Sequence, residues 1–597
     1  MSDTCCIATS SEPASDYMRS GETGDIRCDT NVEVVMRDGA RLYVDVYRPE
    51  AAGAYPVLLA FAIHSKEIQG TELPKDFPSQ PSWSPLWVGH MEAGDTRFFV
   101  SRGYIHVIGS PRGIGLSDTA GSRHFDGYDL IEWIAAQAWC DGNVGMIGIG
   151  AFATEQFHAA KLAPPHLKCV FPYDPRGALG YMGSFREDNP GGVMHAFRYL
   201  QDHFTNFHTV RAQATDLDPA TDALWREAIA NPDYRMYPHI LNVLQQKGQH
   251  MPRYFATIID PFEQPGAVEA AERTLDAIVV PAHTGSGWYA YTYKTHILGA
   301  INYFTRIDVP KRLTITGPGH LDRPLRALRS EMLRWYDHWL KGIDSGALDG
   351  PPVRYWLMGA NEWRGADAWP VPATVWTKFY LNSWERLTTT PFVAGSNDDF
   401  QPPDAFLQMP PTQTRRVERL RYMTDPLPRD VHVAGPISLT IHAAIDQDDT
   451  NWIVVLKDVG PDPSVRTARE GERDLATDLP ERELTRGWLK ASMRALDPAR
   501  SKPGQPWHRL TREARQPVTP GEIVEYTIEI LPTANLFRAG HRIAIDITCL
   551  DLPTGVSGTT NVEYIPYQIC SSKTVQHKIY HDPVHPSHLL LPIIPGE

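Results

Sequence analysis

The sequence predicts an α/β domain built on a parallel sheet, interrupted by a helical insertion and followed by an antiparallel β-sandwich. Three observations predict it. Short apolar runs such as PVLLAFAIHS, GYIHVIGSPRGIG, NVGMIGIGAFATE and LKCVFPYDPRG each end in a loop, with helical patterns following the first and second of the last three. Such runs suit strands covered on both faces, and the repetition suits crossover helices. Between about 180 and 275 the pattern turns helical, and beyond Gly350-Pro351-Pro352 apolar and polar residues alternate with period two.

Taken in order, residues 1–25 carry no basic region followed by an apolar run and read as a flexible N-terminal arm. The α/β domain begins over 26–180 with two β-rich runs flanking Asp38-Gly39, a pair suited to a hairpin turn. Residues 181–275 hold DALWREAIA and YPHILNVLQQKG and read as a helical cap over the sheet edge. The α/β pattern returns over 276–348 in DAIVVPAHTGSGWYAY, read as a strand DAIVV with a loop behind it, and in KRLTITGPGH. The amphipathic RSEMLRWYDHWLK, stopped by Gly342, closes this part. Residues 349–597, starting from VRYWLMGA, read as the sandwich.

A length of 597 residues calls for more than one core. The net charge of −14 and the lack of a basic run with interleaved aromatics argue against nucleic acid. Seven cysteines without CxxC or zinc spacing fit a reducing compartment, and no apolar run approaches the length of a membrane span. The expectation is a cytoplasmic protein with a small organic substrate, no membrane or nucleic-acid partner, and neither cofactor nor metal. Asp446, Asp448 and Asp449 read as a solvated hairpin tip, since they lack the alternation of a calcium loop. Homo-oligomerisation stays open.

The most informative stretch runs through Gly148-Ile149-Gly150-Ala151-Phe152. Buried strand, tight small-residue turn and helix, in that order, are the context of a nucleophile elbow. Its central position is Gly150, which has no oxygen to attack a carbonyl, so the acyl-serine route is closed. Backbone N–H groups near Gly150 and Ala151 still suit a developing oxyanion.

With Arg37-Asp38-Gly39, Leu42 to Pro49, Arg112-Gly113 and Gly115 with Ser117, Asp126 to Asp129, Gly317-Pro318-Gly319-His320, Arg334 to Gly342 and Met358 to Trp363, the sequence resembles the Xaa-Pro dipeptidyl-peptidase and cocaine-esterase (CocE/NonD) hydrolase family. The resemblance implies an α/β-hydrolase with a helical cap and a C-terminal jelly roll. It implies a serine where Gly150 stands, a glycine where Ala153 stands, an oxyanion-holding tyrosine near His64, and a triad aspartate where Ala290 stands. Only His320 matches a member of the usual triad.

The catalytic candidates are therefore His320 as acid or base, against a leftover structural histidine, and His64 as an oxyanion donor. Asp174 or Asp322 is the candidate partner of His320, and each also suits a turn or an arginine pair. Tyr289 is a candidate proton or hydrogen-bond donor, and Gly150, Ala151, Ser65, Lys66, His283, Trp288 and Tyr291 are candidate substrate-binding residues; the aromatic ones equally suit a wall. The expected function is a cofactor-independent enzyme acting on an ester, lactone, amide or ketone by non-covalent acid/base chemistry. Water attack makes it a hydrolase, and proton abstraction makes it an isomerase, cyclase or lyase. The competing expectation is a noncatalytic protein binding a small molecule or a partner.

Overall fold

The computed structural model describes residues 25–69, 92–177, 185–194, 213–214, 216–245, 249–250, 252–288, 295–317, 328–414, 416–460, 480–550 and 568–596. Ten strands form the first sheet, in the order Ile26–Val35, Arg41–Pro49, Ile105–Ser110, Tyr55–Phe61, Cys140–Ile149, Leu167–Tyr173, Ala282–Gly287, Lys311–Thr316, Val353–Leu357 and Glu362–Ala366. The seven from Ile105–Ser110 to Val353–Leu357 run parallel. An antiparallel hairpin turning through Asp38-Gly39 flanks one end, with Gly39 at φ +82°, a value that favours glycine.

The apolar runs form strands because helices cover both faces. Helices Asp126–Ala135, Ala151–Ala160 and Ala267–Leu275 share one core with the sheet, through Leu130, Ile131, Phe157, Val268 and Leu275. Helix Arg329–Lys341 lies on the other face, packing Met332, Trp335, Tyr336 and Leu340 with Phe98, Phe99 and Tyr104. It is pinned by Trp335 Nε1 donating to the Val170 carbonyl at 3.1 Å and Tyr336 Oη to the Met146 carbonyl at 2.9 Å. Buried Arg112 forks onto Asp126 and reaches Asp38, tying the hairpin turn to the start of a helix.

Three described helices of the insertion, Pro219–Ala230, Pro238–Gln245 and Pro252–Ile259, bury Ile240, Leu244, Phe255 and Ile258 with Leu550, Ile569 and Cys570 of the second domain. Among the described residues that domain is an eleven-stranded sheet, antiparallel except for one bridge between Arg386 and Met423. Its long strand Val431–Ile445 pairs with Val524–Phe537, Val575–Tyr580 and His588–Ile594. The architecture is an α/β-hydrolase core followed by a β-sandwich.

Two expectations need correction. The segment VRYWL was assigned to the sandwich, but Val353–Leu357 hydrogen-bonds in parallel to Lys311–Thr316 and belongs to the first sheet. The segment DAIVV was read as a strand, but the strand is Ala282–Gly287, so His283 lies inside it and not in the loop beyond.

Candidate active site

The elbow forms where the strand Cys140–Ile149 turns at Gly150 into the helix Ala151–Ala160. Gly148 has φ +133° and Gly150 has φ +60° and ψ −112°, regions that side chains rarely occupy. Strand and helix approach so closely that a Cβ on Gly148 would fall 2.4 Å from the Phe152 Cβ. Gln156 locks the bend, donating to the carbonyls of Gly148 at 3.2 Å and Phe171 at 3.3 Å and accepting from the Phe171 amide at 2.9 Å.

The Gly150 amide donates to the Tyr173 carbonyl at 2.9 Å, so the expectation that it receives an oxyanion is corrected: the sheet already uses it. Ala151 opens the helix, where an amide has no acceptor within the helix, and suits that role.

His64, half-buried beyond the strand Tyr55–Phe61, lies with its ring centroid 6.2 Å from that of Phe152. Its Nε2 is 3.5 Å from the Glu92 carboxylate. Glu92 is the residue that sequence reasoning missed. It is only 5% exposed, and its carbonyl accepts from the Ile149 amide at 2.9 Å, which ties it to the elbow strand. Buried Gln69 accepts from the amides of Glu92 and Ala93 at 2.7 and 3.1 Å. A Cβ on Gly150 would meet Glu92 first, with Oε2 at 3.6 Å. The stretch His90-Met91-Glu92-Ala93-Gly94 has no periodicity and no motif; its one signal is Asp95, which caps the short helix behind it.

Asp174 ends the neighbouring strand, fully buried, in the left-handed region at φ +58°, its amide donating to the Gly285 carbonyl at 2.8 Å. A buried aspartate in that conformation beside the elbow is a strained position of the kind found at functional sites. His320, Asp322, Tyr289 and Tyr291 lie outside the described residues.

The remaining described candidates make contacts within the framework. Lys66 is 3% exposed, and its Nζ faces Asn31 at 2.8 Å, Asp45 at 2.9 Å and Glu67 at 3.1 Å. Ser65 caps the turn Lys66–Ile68, its hydroxyl engaged with the carboxylate and amide of Glu67. His283 is buried between Phe171 and Trp335, with Nε2 3.0 Å from both Thr314 Oγ1 and Glu331 Oε1. Burial pushes its imidazole below the usual range, against the pull of Glu331. Burial also works to raise the Glu331 carboxyl, but Arg354 and His283 outweigh it and bring it down to about 2. Trp288 is fully buried and donates from Nε1 to the Trp356 carbonyl at 2.6 Å. Its side chain packs into a core shared with the sandwich.

Among the described residues no group of three or more His, Cys, Asp or Glu side chains is placed to hold a metal. The site therefore joins a retained elbow, a helix-start amide and an imidazole held by a buried carboxylate.

Known proteins share this architecture. The family model for X-Pro dipeptidyl-peptidase (S15 family) matches residues 38–322, and that for the X-Pro dipeptidyl-peptidase C-terminal non-catalytic domain matches 345–590. The cocaine esterase of Rhodococcus sp. (strain MB1 Bresler) is 28% identical over 626 residues, covering 96% of this chain and 99% of the relative. A CocE/NonD family hydrolase from Staphylococcus aureus superposes with a TM-score of 0.70 at 21% identity, over 96% of this chain and 94% of that one. An α-amino acid ester hydrolase gives a TM-score of 0.68 at 18% identity, over 99% and 100%. Both domains are thus matched in order along nearly the whole chain, and the chain belongs to the Xaa-Pro dipeptidyl-peptidase and CocE/NonD hydrolase family.

Proposed function

We propose that this protein is an α/β-hydrolase-fold enzyme that acts on a carbonyl-bearing small organic molecule without forming an acyl-serine intermediate. Family membership supports hydrolase-like activity in general, and the name of the Rhodococcus relative supports an ester as the first substrate class to test. The observation that carries the reading is the elbow itself. The bend at Gly150 persists, with φ +60° and ψ −112°, although the residue at its tip has no nucleophile. A turn kept in a region that costs about 1–3 kcal/mol in other residues supports continued use of what surrounds it.

In this reading the substrate carbonyl lies at the start of the helix, where the Ala151 amide and His64 share the negative charge that develops on its oxygen. His320, aligned by resemblance with the triad imidazole, moves the proton. Water attack gives a hydrolase; abstraction of a substrate proton instead gives isomerisation, cyclisation or elimination on the same scaffold.

The test is steady-state hydrolysis of 4-nitrophenyl acetate, butyrate and benzoate by the full chain. His64→Ala is expected to lower kcat about 10²-fold, the scale of losing one oxyanion donor, with thermal unfolding unchanged. Equal turnover by the folded variant overturns the role of His64.

A further inference from the structure

We infer that Glu92 is a catalytic base that takes over the serine's task by deprotonating a water molecule held where the serine hydroxyl would stand. This rests on the elbow being the reaction site, and it adds a residue that neither the motif nor the resemblance points to.

The carboxylate faces the turn closely and squarely. A Cβ on Gly150 would have Glu92 Oε2 at 3.6 Å and both Cδ and Oε1 at 3.9 Å, and these three are its nearest neighbours among the described residues. The hydroxyl of a serine lies one bond beyond its Cβ. An oxygen at that place is therefore within hydrogen-bond reach of the carboxylate, while the elbow still aims it at a carbonyl carbon beside the Ala151 amide.

The main chain of Glu92 is fixed as a base requires. Its carbonyl is bonded to Ile149 in the elbow strand, and its amide and the next are gathered on Gln69. Movement of the strand thus carries the carboxylate with it. His64 Nε2 stands 3.5 Å from the same carboxylate.

The chemistry balances without a cofactor. A water O–H bond breaks, its proton going to Glu92, as the water oxygen bonds to the carbonyl carbon and the carbonyl π pair moves to oxygen. The anion is held by the Ala151 amide and by His64, which turns to it once Glu92 is neutral. When that pair returns, the bond to the leaving group breaks, and the proton passes from Glu92 through the imidazole of His320, in the role proposed above, to the leaving group. Ester and water have become acid and alcohol, and Glu92 is again a carboxylate.

A merely positional Glu92, serving only as the counter-ion of His64, is separated from this by restoring the hydroxyl. Gly150→Ser places an oxygen beside Glu92, and a fluorophosphonate probe reads whether that oxygen is activated: the P–O bond forms, the P–F bond breaks and the serine proton passes to Glu92. The full chain carrying G150S is expected to label, and G150S/E92Q to label at least tenfold more slowly at unchanged melting temperature. If E92Q does not fold, G150S/E92D, which withdraws the carboxylate by one methylene, is expected to show the same loss. G150S/H64A against G150S/H64A/E92Q separates the two roles: a counter-ion of His64 has nothing left to hold there, whereas loss of a base is still expected to slow labelling at least tenfold. Equal labelling of folded G150S and its Glu92 variants overturns the base while leaving the elbow as the site. A folded G150S that does not label overturns both.

Discussion

At the scale of single residues, the two glycines of the elbow have different jobs, which stability measurements can separate. Gly148 is there for space: its Cβ would clash with Phe152 at 2.4 Å and crowd the Glu92 carbonyl at 3.1 Å. Gly150 is there by conformation, since its nearest neighbour among the described residues would be at ordinary contact distance. Gly148→Ala is therefore expected to cost about 3 kcal/mol or more, because neither Phe152 in its helix nor the Glu92 carbonyl bonded to Ile149 can give way cheaply. Gly150→Ser is expected to cost only about 1–2 kcal/mol, the strain of a positive φ. Urea unfolding of both variants checks the order, and similar losses would refute it. The sequence revealed this turn because close approach demands small residues in a fixed pattern. It concealed Glu92 because a carboxylate in an aperiodic loop leaves no such trace, and proximity to Gly150 arises only when the loop folds back onto the strand.

At the scale of elements, the misread residues share a physical cause. The strand Ala282–Gly287 reads AHTGSG, buried throughout yet nearly without apolar side chains, so the apolar run before it carries the stronger strand signal. Reading the strand as DAIVV placed His283 beyond it, near the pocket, whereas the ladder begins at Ala282 and turns that imidazole toward Trp335 and Glu331. Val353–Leu357 misled in the opposite way. Its burial alternates along the strand near the sheet edge, the same signature that a sandwich strand gives. Lys66 follows the strand Tyr55–Phe61 as a pocket residue would, yet the turn it opens swings its ammonium onto Asp45, itself 5% exposed. Lys66→Met leaves that carboxylate buried without its cation, which is expected to cost about 3 kcal/mol in urea unfolding. The KM for an ester substrate is expected to stay within about twofold, because the ammonium is occupied by the framework. A large rise in KM without loss of stability would return Lys66 to the pocket.

At the scale of the whole molecule, an electrostatic seam joins the α/β part to the sandwich. Arg186 pairs with Glu263 at 2.7 Å, donates to the His508 carbonyl at 2.8 Å and lies over the Trp507 ring at 4.2 Å. Arg500 and Arg306 approach the same ring, at 5.2 and 5.8 Å, and both pair with Glu272. Sequence reading found both domains but not this seam, since its charges come together only when segments hundreds of residues apart dock. Next to it stands Glu529, whose carboxyl burial raises from 4.5 to about 7 despite the opposing pull of Arg186. Burial, helped by the neighbouring Arg186, lowers the His508 imidazole to about 4. The signs differ. A carboxyl raised by folding contributes stability that is present below its unfolded value and is lost as pH climbs from about 4.5 to about 7. A lowered imidazole contributes stability that is lost as pH falls from about 6.5 to about 4, so the two slopes oppose each other in mild acid. Glu529→Gln removes the first slope alone. The variant is expected to match the native protein near pH 4.5 and to exceed it by on the order of 2–3 kcal/mol above pH 7, after allowance for partial exposure. Urea unfolding of both proteins at pH 5, 6, 7 and 8 measures the difference, and a difference that does not grow with pH would show that Glu529 is not held neutral at the seam.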